Sequence, residues 1–326
     1  MSANISQFNW PIVGNETAVD FLQASLLNKK ISSAYIFSGV NDVGKFTLAK
    51  YFSDSLIFSA KDSSETDLNQ SGGDMQIVEV EAGKKNIGIA QIREFIKNLN
   101  LTSFLNSYKV GIIKNAQMLS LEAANSLLKT LEEPKDKVVI ILLTSAIDKL
   151  PQTIVSRSQV INFYPVKNEV IYDYLIDKHQ ASRSQAKEFS RLALGRPALA
   201  VKLLKDKEFY DQHLETVKLF LSFLSEDENT RLRKISQTFS NHLFGQAGRD
   251  LALQTISVWE IVSRDMMLTE FNQTDLIRYT SLSEEIAQIS QNYNSETIFQ
   301  RLAQAREYLM ANVSPKAVIE NLAISF

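Results

Sequence analysis

Ser33 to Thr47 reads SAYIFSGVNDVGKFT. Ala34, Tyr35, Ile36 and Phe37 form an apolar run of strand length, and a helix is expected to begin at Lys45. Between them lies a loop bounded by Gly39 and Gly44, with the spacing G-x-x-x-x-G-K. In a P-loop such glycines let backbone N–H groups curl round phosphates at a helix N-terminus, and the lysine reaches the terminal phosphates. The next residue of that motif is Ser or Thr, whose hydroxyl binds Mg²⁺. Here it is Phe46, and Thr47 comes one position late.

The flanking sequence places this loop in an α/β domain. Val19, Leu22, Leu26 and Leu27 have helical spacing before it, and Leu48, Tyr51, Phe52 and Leu56 continue a helix after it. Lys61 to Asp74, KDSSETDLNQSGGD, is polar and reads as a flexible loop. Gln76 to Val80 alternates like a strand, and Ile89, Ile92, Ile96 and Leu99 mark a helix face. Lys109 to Ile113 is a second short strand. Ser120 is placed to cap a helix with the buried stripe Leu121, Ala124, Leu128 and Leu131, which Pro134 ends. Val138 to Leu143, VVIILL, is apolar on both faces, as in a parallel sheet covered by helices, and Val160 to Phe163 closes the series. Strands alternating with helices predict a doubly wound sheet, with ligands at the carboxyl ends of its strands.

Beyond Pro165 the strand signals stop. Residues 167–206 read as two or three short helices punctuated by Gly195, Arg196 and Pro197. From about 208 to 326 the pattern is helical throughout, with core stripes such as Trp259, Val262 and Met266, or Ile298, Leu302, Ala305 and Leu309. At 326 residues, 44% hydrophobic, the chain supports two or three cores, and 11 Gly with 6 Pro favour helices over a turn-rich all-β fold.

Composition also excludes some chemistry. A net charge of −2 offers no bulk attraction for nucleic acid, so any such contact needs a local patch. The absence of cysteine rules out disulfides and thiolate-ligated zinc, and it fits a cytoplasmic location. The N-terminal MSANISQFNWPIVGNE has no apolar signal core, and no membrane partner is expected.

A P-loop ATPase needs acids at the end of a neighbouring strand, one for the metal's water shell and one to polarise the attacking water. The strand Val110 to Ile113 ends instead in Lys114 and Asn115. An ammonium repels Mg²⁺, and an amide cannot take a proton. Phe46, Lys114 and Asn115 together predict a phosphate cradle that does not turn over ATP by itself.

The runs KVGIIKNAQMLSLEAANSLLKTLEEP (109–134) and IILLTSAIDKLPQTIVSRSQ (140–159) resemble bacterial clamp-loader subunits of the AAA+ superfamily. IVGNE (12–16), AYIFSGVNDVGKFTLA (34–49) and YLMANVSPKAVIENL (308–322) extend the resemblance over essentially the whole chain. Departure from the motor subunits at the metal ligand and the acidic strand end is similar to the delta-prime family of the DNA polymerase III clamp loader, whose members are stator-like and do not hydrolyse ATP. The resemblance implies an AAA+ module over 1–165, a helical lid over 166–206 and a helical collar, the oligomerisation domain, over 207–326. It implies motor and wrench subunits as partners, the sliding clamp indirectly, and primer–template DNA within the assembled ring. Many members carry a four-cysteine zinc module where this chain has Lys61 to Asp74, so no zinc is expected. No cofactor is required, and ATP or ADP could bind without hydrolysis.

By the same resemblance the family's Ser-Arg-Cys motif falls on Ser156, Arg157 and Ser158. Its arginine acts in trans on ATP held by the adjacent motor subunit, as an arginine finger. Gly39, Gly44, Lys45, Thr47 and Thr144 are the nucleotide-binding candidates, retained or vestigial. Thr144 and Ser145 fall at the first sensor, where they either sense phosphate or cap the strand end. Arg196 lies near the second-sensor region. Glu132 and Glu133 of the LEEP signature read as solvated helix-end charges, and Lys84, Lys85, Arg93 and Lys97 as a solvated basic face. His179, His213 and His242, scattered through segments expected to be helical, form no metal or triad spacing. Two other readings remain: a self-sufficient AAA+ motor, of clamp-loader or helicase type, with Thr47 as an unexpected metal ligand, and a pure scaffold without a nucleotide role.

Overall fold

The computed structural model describes residues 8, 10–58, 73–81, 83–103, 107–239 and 242–326. Most of the expected loop Lys61 to Asp74 lies outside them. Its last residue, Asp74, is described and is buried, accepting a hydrogen bond from the Ser103 hydroxyl at 2.8 Å. That end of the stretch is therefore an anchor for the strand it precedes.

The chain divides into two compact units, 1–180 with 193–200, and 181–192 with 201–326. The first begins with α1 (Glu16–Leu27), β1 (Ala34–Ser38), α2 (Lys45–Phe58), β2 (Met75–Val78) and α3 (Ile89–Leu99). It continues with β3 (Lys109–Ile113), α4 (Leu121–Glu132), β4 (Val138–Thr144), α5 (Gln152–Val155), β5 (Gln159–Asn162) and α6 (Asn168–His179). The five strands are all parallel, in the order β2-β3-β4-β1-β5. This is the parallel α/β sheet expected, with the strand β1 that precedes the glycine-bounded loop flanked by β4 and β5.

Alternation along the strands creates two cores. Tyr35, Phe37, Val139, Ile141 and Leu143 pack with Leu22 of α1 and Leu48, Phe52 and Leu56 of α2. Ala34, Ile36, Ile140 and Leu142 face the other way, onto Ile92 and Phe95 of α3, Leu127 of α4 and Ile154 of α5. On β3 a side chain at Gly111 would not fit, because its Cβ would stand 2.2 Å from the Phe95 ring. The Ser120 hydroxyl accepts from the Ala123 N–H at 3.2 Å, the cap expected for α4. The IVGNE stretch is tied to the far end of the domain: the Asn15 amide accepts from the Tyr164 N–H at 2.7 Å and donates to its carbonyl at 3.1 Å.

The second unit is helical. It contains α7 (Arg183–Leu192), most of α8 (Pro197–Lys205), α9 (Lys207–Ser225), α10 (Glu228–Phe239) and α11 (Gly245–Glu270), followed by α12 (Ser283–Ser290), α13 (Ser295–Met310) and α14 (Pro315–Ser325). Trp259 of the long α11 is fully buried, stacked on Phe220 at 5.2 Å and edge-on to Phe223 at 5.4 Å. Its indole N–H donates to the Thr216 carbonyl at 3.0 Å. Asp265, also buried, accepts from the Arg278 and Tyr279 N–H groups at 2.8 and 3.0 Å and pairs with Arg264 at 3.1 Å. Glu188 of α7 gathers the Tyr210 and Ser281 hydroxyls at 2.7 and 2.8 Å. His242 falls in the connection before α11 and not in a helix, because α10 ends at Phe239. No described helix is long and apolar enough to cross a membrane.

Candidate functional site

Parallel strands bring their carboxyl ends to one edge, and most of the expected site residues meet there. Gly39 follows β1, Lys114 and Asn115 follow β3, and Thr144 ends β4. The loop after β1 has the glycine geometry that a P-loop requires. Gly39 has φ +153°, and a Cβ there would stand 2.4 Å from the Phe163 carbonyl oxygen. Gly44 has φ +104° with open space beside it, so its requirement is conformational alone.

The Lys45 ammonium folds back into this loop. It donates to the Gly39 and Val40 carbonyls at 2.5 and 2.6 Å. Burial pulls its pKa down to about 8, with the Asp42 charge opposing. The loop is braced from below by the start of α8, where the Ala198 N–H donates to the Asp42 carbonyl at 3.0 Å. Arg196 stands in that brace, its Nε donating to the Ala193 carbonyl at 2.9 Å. Burial lowers its pKa, again against the Asp42 charge.

The metal position does not fit Mg²⁺. The Phe46 side chain carries no donor oxygen, and the Lys114 ammonium lies 4.3 Å from its ring centroid. Lys114 is held there by Glu79, just past β2, at 2.9 Å. A cation–π contact with a carboxylate behind it takes the place of hydroxyl, metal and acid. Thr47 is one residue further along α2, turned about 100° from Phe46. Among the described residues no group of three or more His, Cys, Asp or Glu side chains could hold a metal ion.

Thr144 is buried, and its hydroxyl donates to the Gln117 amide oxygen at 2.9 Å and accepts from the Ala146 N–H at 3.1 Å. Gln117 also donates to the Ser145 hydroxyl at 3.2 Å. This clasp joins the turn after β3 to the end of β4. Gln117 and Glu79 escaped the sequence reading because neither lies in a recognised motif. The register of β2 on β3, Val78 opposite Ile113, sets Glu79 beside Lys114, and no local sequence signal shows it.

Arg157 lies apart from this edge, in the turn between α5 and β5. Its guanidinium pairs with Glu132 at the end of α4 at 2.8 Å. It also donates to the Thr153 carbonyl at 3.1 Å and the Ser156 hydroxyl at 3.4 Å. Glu132 is thus an ion-pair partner of Arg157, at a helix end that leaves its side chain 49% exposed. Glu133 lines a cleft of about 420 Å³ between α3 and α4, with Arg93, Asn100, Ser126 and Lys129. Lys84 pairs with Glu81 at 2.6 Å, so part of the basic face is neutralised.

Residues 14–167 match the family model described as DNA polymerase III, delta subunit. The chain is similar to the DNA polymerase III subunit delta' of Bacillus subtilis (strain 168), 24% identical over 312 residues, covering 93% of each chain. It is 34% identical over 187 residues to the DNA polymerase III subunit tau of the same organism, covering 55% of this chain but only 33% of tau. Among solved structures, a gamma subunit-related protein of DNA polymerase III from Thermotoga maritima superposes with a TM-score of 0.46 at 17% identity, covering 88% of this chain and 99% of that one. The family model takes in the P-loop, both altered strand-end residues and Arg157, and the match to the delta' subunit runs on through the C-terminal helices.

Proposed function

We propose that this chain is a clamp-loader subunit that does not hydrolyse ATP itself and that supplies Arg157 to ATP held by an adjacent motor subunit. Its partners are the motor and wrench subunits, with the sliding clamp and primed DNA engaged through the assembled ring. The three-part organisation at 1–165, 166–206 and 207–326 belongs to the same proposal. So do Gly39, Gly44 and Lys45 as a phosphate cradle able to hold nucleotide without hydrolysis, and the expectation that neither zinc nor any other cofactor is needed.

One observation carries the reading. The chain's own metal position is taken by Phe46 and Lys114, whereas the Arg157 side chain is 37% exposed, fixed at one end and open to solvent. A guanidinium stays charged at any working pH and matches phosphate oxygens in a planar fork. Placed on a neighbour's γ-phosphate, it stabilises the charge that develops during transfer. Ser156 accepts from it and steadies the turn.

The test is a loader reconstituted with Arg157→Ala. Clamp- and DNA-stimulated ATPase is expected to fall by about 10³-fold or more at the site this chain completes. Undiminished ATPase with normal clamp loading would remove the finger role.

A further inference from the structure

We infer that Glu132 is a positioning residue for Arg157, which joins the LEEP signature to the Ser-Arg-Ser turn as one device; this rests on the finger role proposed above. The two residues sit on different elements, Glu132 at the end of α4 and Arg157 just after α5. Those elements share a core through Leu127, Leu131 and Ile154, so the carboxylate is presented from a rigid base. The pair closes at 2.8 Å.

The donor arrangement decides what the pair can do. A guanidinium carries five N–H groups. Glu132 accepts from Nη2, while the Thr153 carbonyl and the Ser156 hydroxyl accept from Nη1. Two N–H groups are then without an acceptor among the described residues, on a side chain 37% exposed. A phosphate can take those two while the other three bonds stand. An unrestrained arginine would lose most of its rotamer freedom on reaching across to another chain. Glu132 imposes that restriction in advance, which is how orientation lowers a barrier.

The carboxylate also competes with phosphate for the guanidinium. Glu132 is 49% exposed, so water screens that competition. A terminal phosphate brings more charge and meets donors that Glu132 leaves untouched. Orientation therefore outweighs competition, and removing the carboxylate slows the neighbour's reaction.

The experiment uses the complete loader, with primed DNA and clamp, and this chain as wild type, Glu132→Ala, Glu132→Gln, Arg157→Ala, or the double variant to Ala. Glu132→Ala is expected to lower kcat about fivefold, with KM for ATP and co-elution of the complex unchanged. Glu132→Gln keeps an acceptor oxygen and should recover most of the loss. The double variant should match Arg157→Ala alone, since Glu132 acts only through the arginine. Wild-type kcat in Glu132→Ala, beside a collapse in Arg157→Ala, would overturn the positioning role and leave the finger standing. A rise in kcat, or a double variant slower than Arg157→Ala, would also overturn it. Wild-type activity in Arg157→Ala would remove the finger and the positioning role together.

Discussion

The Lys114 ammonium lies 4.3 Å from the centroid of the Phe46 ring, with the Glu79 carboxylate 2.9 Å behind it. Two substitutions that look independent in the sequence are one contact. Restoring the hydroxyl alone, with Phe46→Thr, should therefore not create a metal site, because the ammonium remains. Steady-state turnover by the purified chain should stay at background in Phe46→Thr. It should stay there in Phe46→Thr with Lys114→Asp as well, since Asn115 still cannot act as base. In urea unfolding, Lys114→Ala should cost about 1 kcal/mol for a half-screened cation–π contact and its ion pair. Lys114→Asp should cost more, by facing a second carboxylate toward Glu79.

Gly39 and Gly44 look equivalent in the motif but should not tolerate alanine equally. At Gly44 only the positive φ stands in the way, so Gly44→Ala should cost about 1–2 kcal/mol. At Gly39 the added carbon would lie 2.4 Å from the Phe163 carbonyl oxygen, which is backbone and cannot swing aside. Gly39→Ala should cost about 3 kcal/mol or more, because β1 and the residue after β5 must separate. Chemical denaturation of the two variants side by side checks the order.

Lys45 makes stability depend on pH in a stated direction. Its pKa falls from the ordinary 10.5 to about 8 on folding, so the charged form burdens the fold below pH 8. Between about pH 8 and 10.5 the unfolded chain holds a proton that the folded chain has released. Stability attributable to Lys45 therefore rises with pH across that window. Against Lys45→Met, the wild type should gain on the order of 3 kcal/mol between pH 7.5 and 10.5, read as the difference between paired denaturation curves. A constant difference across the window would contradict this.

Asp265 tests the helical unit. Burial raises its carboxyl pKa, while the Tyr279 and Arg278 N–H groups and the Arg264 charge hold it down. Asp265→Ala would leave the buried Tyr279 N–H and the part-buried Arg278 N–H without their acceptor. A loss of about 3 kcal/mol is expected in thermal or urea unfolding. Asp265→Asn, which keeps one acceptor oxygen, should lose less.

Much of the fold was readable because the physical signals are local. Each strand of the α/β domain announces itself as an apolar run, and the helix faces between them recur at helical spacing. The Ser120 cap needs only its own turn to form. That Asp74, the last residue of the loop Lys61 to Asp74, is buried is not legible locally, because its partners Ser103 and Lys109 are distant in sequence. His242 was assigned to a helix because nothing local marks the end of α10 at Phe239.

The site divides along the same line. Residue identity alone determined that Phe46 offers no oxygen to a metal, that Lys114 repels one, and that Arg157 stays charged. These are properties of side chains and need no coordinates. Which groups meet was decided only by the tertiary structure. Parallel pairing of β2 with β3 sets Glu79 beside Lys114, and packing of α5 against α4 sets Arg157 on Glu132. The 24 positions between Glu132 and Arg157 hold a strand and a helix whose packing closes the gap to 2.8 Å, a distance no spacing rule could supply.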